Sequence, residues 1–272
     1  MDVSALNKHS EYKREPMPEH KPEHKQEYKP AILIPVYNHE DAIGSTLDDA
    51  LQYDCSVMLV DDGCSTLCRE RLVSLRDQHH ARVMLLQLPE NIGKGGALKA
   101  GFRALLEAGY THAVQIDADG QHTLTDLPLF LEASRENPET LVTGYPKYDE
   151  SVPKIRYYGR YLTHVWVWIN TLSFEIKDTM CGFRAYPLEA VVDLLEQEKC
   201  GNRMDFDSEV MVRWHWRGGL IKNIPTQVRY PMDGVSHFNI WHDNVLISLM
   251  HTRLFFGMLV RLPKILWRRI YV

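Results

Sequence analysis

Short apolar runs alternate with stretches of helical period, about every 25 residues, from Ala31 to Gly144 of this 272-residue chain, and few folds are open to a chain so patterned. The runs Ala31–Tyr37, Ser56–Val60, Arg82–Leu88, His112–Ile116 and Leu141–Gly144 read as strands. Asp41–Gln52, Leu67–Gln78, Ala97–Ala108 and Leu127–Arg135 read as the helices between them. Near-continuous apolar strands are buried on both faces, so the expected fold is α/β, a mostly parallel sheet flanked by helices. In such sheets ligands bind beyond the carboxyl ends of the strands. Those ends carry Tyr37-Asn38, Asp61-Asp62, the loop Asn91–Gly96, and Asp117–Gln121, so polar and acidic groups converge on one rim.

Charge is distributed unevenly along the chain. The first 30 residues hold six basic and six acidic side chains around the near-repeat Pro18-Glu19-His20-Lys21, Pro22-Glu23-His24-Lys25. Prolines and solvated charges bury too little apolar surface to offset chain entropy, so residues 1–30 are expected to be a disordered tail whose histidines lack a fixed metal geometry. The stretch 31–243 carries 30 acidic against 20 basic residues, whereas everything after Asp243 is basic or neutral. A net charge of −5 makes a general nucleic-acid binder an unsuitable reading. Five cysteines without paired spacing fit a reducing compartment, and Met1 leads into charge and not into a signal-like apolar run.

Asp117-Ala118-Asp119 is the sharpest motif. In an extended segment residues i and i+2 project to one face, so two carboxylates can meet at one point. A hard divalent cation, Mg or Mn, relieves their repulsion by taking oxygen from both, from an amide such as Gln121, and from a diphosphate. The other reading is a pair of loop carboxylates capping the next helix. Asp61-Asp62-Gly63 can hold a base edge or a ribose hydroxyl, or form an Asx-type turn. Asn91-Ile92-Gly93-Lys94-Gly95-Gly96-Ala97 lacks both the Walker A and the dinucleotide glycine spacing, yet a backbone passing close to a nucleotide fits it, with Lys94 near phosphate or ribose.

Taken together, Ile34-Pro35-Val36-Tyr37-Asn38, Val60-Asp61-Asp62-Gly63, Asn91 to Ala97, Asp117-Ala118-Asp119-Gly120-Gln121-His122 and Asp178-Thr179-Met180-Cys181-Gly182-Phe183-Arg184 resemble family 2 glycosyltransferases, in the branch similar to dolichyl-phosphate mannose synthase. The motifs keep that family's order and spacing from about residue 31 to 240. The resemblance implies a GT-A fold over 31–240, a nucleotide-sugar donor, and Mg or Mn at Asp117, Asp119 and Gln121. It implies donor contacts from Pro35, Tyr37, Asn38, Glu40, Asp61, Asp62, Lys94, Asp117 and Ala118. Arg184 would face the lipid-phosphate acceptor or the donor diphosphate. His39 stands where the family has a glutamate, with Glu40 one position late.

Arg156 and Arg160, four apart on a predicted helix, share a face and are candidates for an acceptor phosphate. The aromatic stretch Tyr161–Phe174 has an uncharged core of about 13 residues, too short to span a bilayer, and reads either as an interfacial helix or as a core helix. Asp207 or Glu209, near a helix start, can accept the proton of a hydroxyl acceptor; a phosphate acceptor needs no base. Arg229, Ser236 and His237 lie in a loop similar to the family's active-site segment and would close over the diphosphate. From Asn244 the pattern is helical, with Arg253, Arg261, Lys264 and Arg268 in one stripe. Residues 241–272 are therefore expected to be an amphipathic segment whose cations meet an anionic membrane surface, the other reading being a helix packed on the body with its basic face in water, and Pro263 should kink or break it. No uncharged run is long enough to span a bilayer.

The expectation is a metal-dependent, inverting glycosyltransferase, peripheral on the cytoplasmic face of a membrane. It would move sugar from a UDP- or GDP-sugar to a polyprenyl phosphate or another lipid. The alternatives are a hydroxyl-bearing lipid or pigment acceptor, and a silent nucleotide-binding membrane adaptor.

Overall fold

Five of the seven residues of β1 (Pro30–Val36) are wholly excluded from solvent, and the sheet is built outward from this strand. The computed structural model describes residues 27–120, 123–147, 154–227 and 240–271. After β1 come α1 (Ile43–Ala50), β2 (Ser56–Asp61), α2 (Thr66–Gln78), β3 (Val83–Gln87), α3 (Lys94–Glu107), β4 (His112–Gln115), α4 (Leu127–Glu136) and β5 (Leu141–Lys147). They are followed by α5 (Lys154–Thr171), β6 (Arg184–Pro187), α6 (Leu188–Gln197), α7 (Phe206–Arg217), β7 (Ile221–Gln227) and α8 (Ile240–Tyr271). Tyr28 and Lys29, assigned to the tail by sequence, are held to the body: Tyr28 Oη lies 2.7 Å from Ser134 Oγ, and Lys29 N donates to Thr111 Oγ1 at 2.9 Å.

The seven strands are ordered β3-β2-β1-β4-β6-β5-β7. β6 pairs antiparallel with both neighbours, and the other pairings are parallel. The strand period of two divides the core. Ala31 and Leu33 of β1, with Met58 and Val60 of β2, pack toward Ala97, Leu98 and Phe102 of α3. Ile32, Ile34, Val57 and Leu59 pack with Ile43 and Leu47 of α1 and Leu72 of α2. This double burial explains why the strands read as unbroken apolar runs.

The chain turns from building leftward of β1 to building rightward between β3 and β4, so the topological switch lies between the ends of β1 and β4. β4 pairs with β1 only as far as Leu33, whereas β2 follows it to Val36. Pro35 is tolerated there because β1 has already parted from β4.

The C-terminal segment departs from expectation in three ways. It is one helix passing through Pro263, whose exposed position leaves water to satisfy the carbonyl that proline orphans. Its window at Trp241–Arg268 is long and apolar enough to cross a membrane by composition, although its uncharged runs are short. And three of its cations reach the body. Arg253 donates to Glu209 Oε2 at 2.7 Å, Arg261 lies 3.8 Å from Glu198 and 4.7 Å above the Trp216 ring, and Arg268 donates to the carbonyls of His215 and Trp216. Arg253 and Arg261 thus set part of the tail's excess base against acids of the body.

Between α5 and α8, His251 is 4% exposed and its Nδ1 accepts from the Asn170 amide at 3.2 Å. Burial pushes this imidazole down to about 4, against a smaller opposing pull from Glu209. The folded state therefore holds the neutral ring, and the unfolded chain binds the proton first as pH falls. Stability should be complete above about pH 6.5 and decline by about 3 kcal/mol on the way to pH 4. Urea titrations across that range should show the decline, and His251→Gln should flatten it.

Candidate functional site

Lys94, the first residue of α3, sits where the helix dipole disfavours a cation. Its Nζ lies 2.7 Å from Asp117 Oδ1 and 2.9 Å from Asp207 Oδ2. Burial alone would favour the neutral amine, but the two carboxylates outweigh it and hold Lys94 charged, with its pKa raised. Asp207 Oδ1 in turn lies 3.6 Å from Nη1 of Arg184, which is 0% exposed. Four charges of alternating sign, Arg184, Asp207, Lys94 and Asp117, thus run from the core to the rim at the end of β4.

Small residues make this convergence possible. A Cβ on Gly95 would stand 2.4 Å from that of Phe206, and one on Gly182 would stand 2.1 Å from Asp117 Oδ2. Gly96 N donates to Asn202 O at 2.9 Å, and Lys99 Nζ reaches Cys200 O and Asn202 Oδ1. These contacts stitch the start of α3 to the start of α7. The expected helix start at Ala97 was late because Gly93, at φ 89°, caps α3, and Gly95 and Gly96 lie within it.

Asp117 and Asp119 both follow β4 and are half-buried. The intervening Ala118 is buried, and its carbonyl accepts from Thr46 Oγ1 at 3.3 Å. Gln121 lies outside the described residues. Among the described residues no three His, Cys, Asp or Glu side chains converge on a point. Mg is ordinarily held by one or two carboxylates together with waters and substrate phosphates, so two hard oxygen donors on one segment fit such an ion.

Several other expected residues make bonds within the chain. Asp61 Oδ1 accepts from Cys64 N at 2.7 Å and its Oδ2 from Arg69 Nε at 2.9 Å. Burial would raise its pKa, but these donors prevail and lower it. Asp62 accepts from Ile92 N at 2.8 Å and Gly93 N at 3.0 Å, with burial raising its pKa despite them. This acidic pair therefore shapes the loops beside the crevice through hydrogen bonds within the chain. Asn38, at φ 51°, accepts from Ser65 N, and Tyr37 and Pro35 are half-buried next to it. Glu40 has a buried Oε2 without a hydrogen-bond partner.

Two catalytic expectations are corrected. Arg184 does not reach the rim: its guanidinium donates to Thr179 O at 2.6 Å, Asp207 O at 2.9 Å and Tyr186 Oη at 3.1 Å. Glu209 is 0% exposed, with Oε1 accepting from Arg213 and Oε2 from Gly201 N and Arg253. Residues i and i+2 of a helix point about 200° apart, so Asp207 faces the rim and Glu209 faces α8.

Arg160 is bound to Asp178 at 2.7 and 3.0 Å, and His164 lies 3.1 Å from the same carboxylate. Burial would raise the Asp178 pKa, but His164 and Arg160 drive it well below the usual carboxylate range. Arg160, Tyr161, His164, Lys177 and Asp178 line a cavity of about 180 Å³ with Tyr145 and Pro146 at the end of β5. The sequence offered no sign of the Asp178 cluster beyond its place at the head of the Asp-Thr-Met-Cys-Gly-Phe-Arg element. Arg156 lies on α5, but its side chain is outside what is described, as are Arg229, Ser236 and His237.

The family profile Glycosyl transferase family 2 matches residues 31–192. A dolichyl-phosphate beta-glucosyltransferase from Trichomonas vaginalis is 25% identical over 202 residues, 67% of this chain and 60% of that protein. An undecaprenyl-phosphate mannosyltransferase from Micrococcus luteus is 29% identical over 64% of this chain and 74% of its own. The chain thus spans less than two thirds of the Trichomonas protein. The fold is similar to the crystal structure of glucosyl-3-phosphoglycerate synthase from Mycobacterium tuberculosis, with a TM-score of 0.58 and 19% identity over 86% of this chain and 80% of that one. The expected fold class is the one observed.

If Glu209 is a structural hub, Glu209→Gln should cost about 3 kcal/mol by chemical denaturation, because it leaves Arg213 short of its buried counter-charge.

Proposed function

Because the chain belongs to glycosyl transferase family 2, we propose that it moves a sugar from a UDP- or GDP-sugar to a lipid-linked acceptor, most simply a polyprenyl phosphate, with Mg or Mn held by Asp117 and Asp119. The carrying observation is the Lys94 ammonium lodged between Asp117 and Asp207 at the rim. The relatives supply the acceptor class, since two of them are named for transfer to dolichyl or undecaprenyl phosphate.

A divalent ion bound there would supply Lewis-acid neutralisation of the leaving diphosphate. The chain's own residues supply the rest. A diphosphate arriving beside Asp117 competes for Lys94, whose partner Asp207 keeps it anchored while its third proton turns to the new anion. Arg184 keeps Asp207 in place from below, as a positioning residue. An oxygen of the acceptor phosphate bonds to the anomeric carbon as the bond to the diphosphate breaks, and that electron pair leaves on the diphosphate. The step is a single in-line displacement with inversion, and it needs no base because the acceptor is already an anion. The cavity beside Arg160, His164 and Lys177 has room for a phosphate and lies at the same end of the sheet, beyond β5.

Release of UDP or GDP from a sugar nucleotide should require Mn or Mg and fall about a hundredfold or more in Asp119→Asn and in Lys94→Met. Thermal unfolding of both variants should still be cooperative. Equal thermal stabilisation of the wild-type chain by ATP and by UDP or GDP compounds would overturn the donor assignment. Metal-independent turnover, or full activity of Asp119→Asn, would overturn the role of the paired acids.

A further inference from the structure

α8 presents a largely apolar face to solvent, beside its basic stripe and opposite the flank that packs on the body. At about 100° per residue, Trp241, Val245, Leu249, Phe256, Val260 and Trp267 fall within an arc of about 100°. All six are exposed, Trp241 at 85% and Val260 at 81%. No Asp, Glu, Lys or Arg shares the arc; Arg253 and Lys264 border it.

α5 continues this surface. Over its residues 160–171 the exposed side chains, Tyr161, Leu162, Trp166 and Ile169, are likewise uncharged. Trp166 stacks on His251 with centroids 6.1 Å apart and meets Phe255 edge-on at 6.4 Å, and Phe255 meets Phe256 at 5.8 Å. The two helices therefore share one aromatic seam. Contiguous apolar faces of this kind mark an interaction site on a folded protein.

We propose that the outward faces of α5 and α8 form a keel seated in the surface of a lipid bilayer, with α8 lying parallel to the membrane and held by apolar burial without any requirement for anionic lipid. The parallel orientation follows from the attachment of α8. Met250, Leu254, Met258 and Ile265 are buried against the body, and Asp243 and Arg268 extend that flank to both ends. The attached length is about 25 residues, or about 38 Å, more than the hydrocarbon thickness of about 30 Å. A crossing α8 would drag Glu198, Glu209 and α7 into hydrocarbon, where charges are expensive. Tryptophan at both ends of the outward arc suits an interfacial position, with ring bodies in apolar surroundings and N–H groups near water.

The choice of a bilayer over a second copy of the chain rests on the lipid-acceptor reading, and the Trp241–Arg268 window's mean hydropathy of 1.5 supports it. Flotation needs no turnover, so its failure leaves the transfer reaction itself standing. The full chain should float equally, within about twofold, on phosphatidylcholine vesicles and on vesicles with about a third phosphatidylglycerol, and about 0.5 M salt should not release it. Phe256→Glu with Val260→Glu should cut flotation at least about tenfold without altering thermal unfolding, since both side chains are exposed, whereas Lys264→Gln should leave it unchanged. Fluorophores attached singly at residues 245 and 260, in a Cys200→Ser background, should be quenched equally by brominated lipids. Binding confined to anionic vesicles and lost in salt would overturn the proposal, as would unchanged flotation of the double variant. A lipid-free dimer that this variant dissociates would identify a second copy as the occupant, and unequal quenching would overturn the parallel orientation.

Discussion

A lysine at a helix N-terminus opposes the dipole of that helix, and this chain keeps one there by enclosing it between two carboxylates. Lys94 cannot be exchanged for a neutral residue without leaving Asp117 and Asp207 face to face, nor can Asp207 be lost without exposing Lys94 to Arg184. The four charges depend on one another and tie four separate stretches together: the end of β4, the start of α3, the start of α7 and the start of β6. The local rules of helix design are broken at the rim where the strands end, and such breaches concentrate where a protein must bind or react. The sheet supplies rigid strand ends; the glycines at 95 and 182 let the stretches approach; the charges fix the result.

The same economy of charge governs the C-terminal helix. A basic stripe on an apolar helix invites the reading of a contact with anionic lipid, yet in the folded chain three of those cations, Arg253, Arg261 and Arg268, have partners on the body. The acidic excess of the body is an internal partner, available at high effective concentration. Glu209 illustrates the consequence, since a carboxylate beside the active rim in sequence is claimed by Arg213 and Arg253. With those three arginines engaged on the body, the outward arc beside them is largely aromatic and aliphatic.

Much of the fold was legible because the strand and helix periods are strong and the strands are buried on both faces. Ile32 and Leu33 serve opposite cores, and a run serving both must be apolar throughout. The placement of Asp117 and Asp119 after β4 followed from the same alternation. What the sequence could not show was which carboxylates remain available. Asp61 and Asp207 look alike as residues near element ends, yet Asp61 is bound by Cys64 N and Arg69 whereas Asp207 faces Lys94. The difference arises from side-chain and backbone donors brought together by folding, and these leave no local pattern. Arg184 makes the same point, since nothing in Gly-Phe-Arg says that β6 runs antiparallel and turns that side chain into the core.

Asp178 joins the two halves of this argument. It stands at the head of the segment that carries Gly182 to Asp117, and its carboxylate also gathers Arg160 and His164 from α5. Its Oδ1 accepts from the backbone of Met180 and Cys181 as well, so the loop against Asp117 and the helix α5 share one anchor. A buried carboxylate with this many donors is costly to remove and rigid while it stays. Asp178 thus holds α5, through Arg160 and His164, to the loop whose Gly182 abuts Asp117, and the two are connected through a single side chain, by contacts and not by distance.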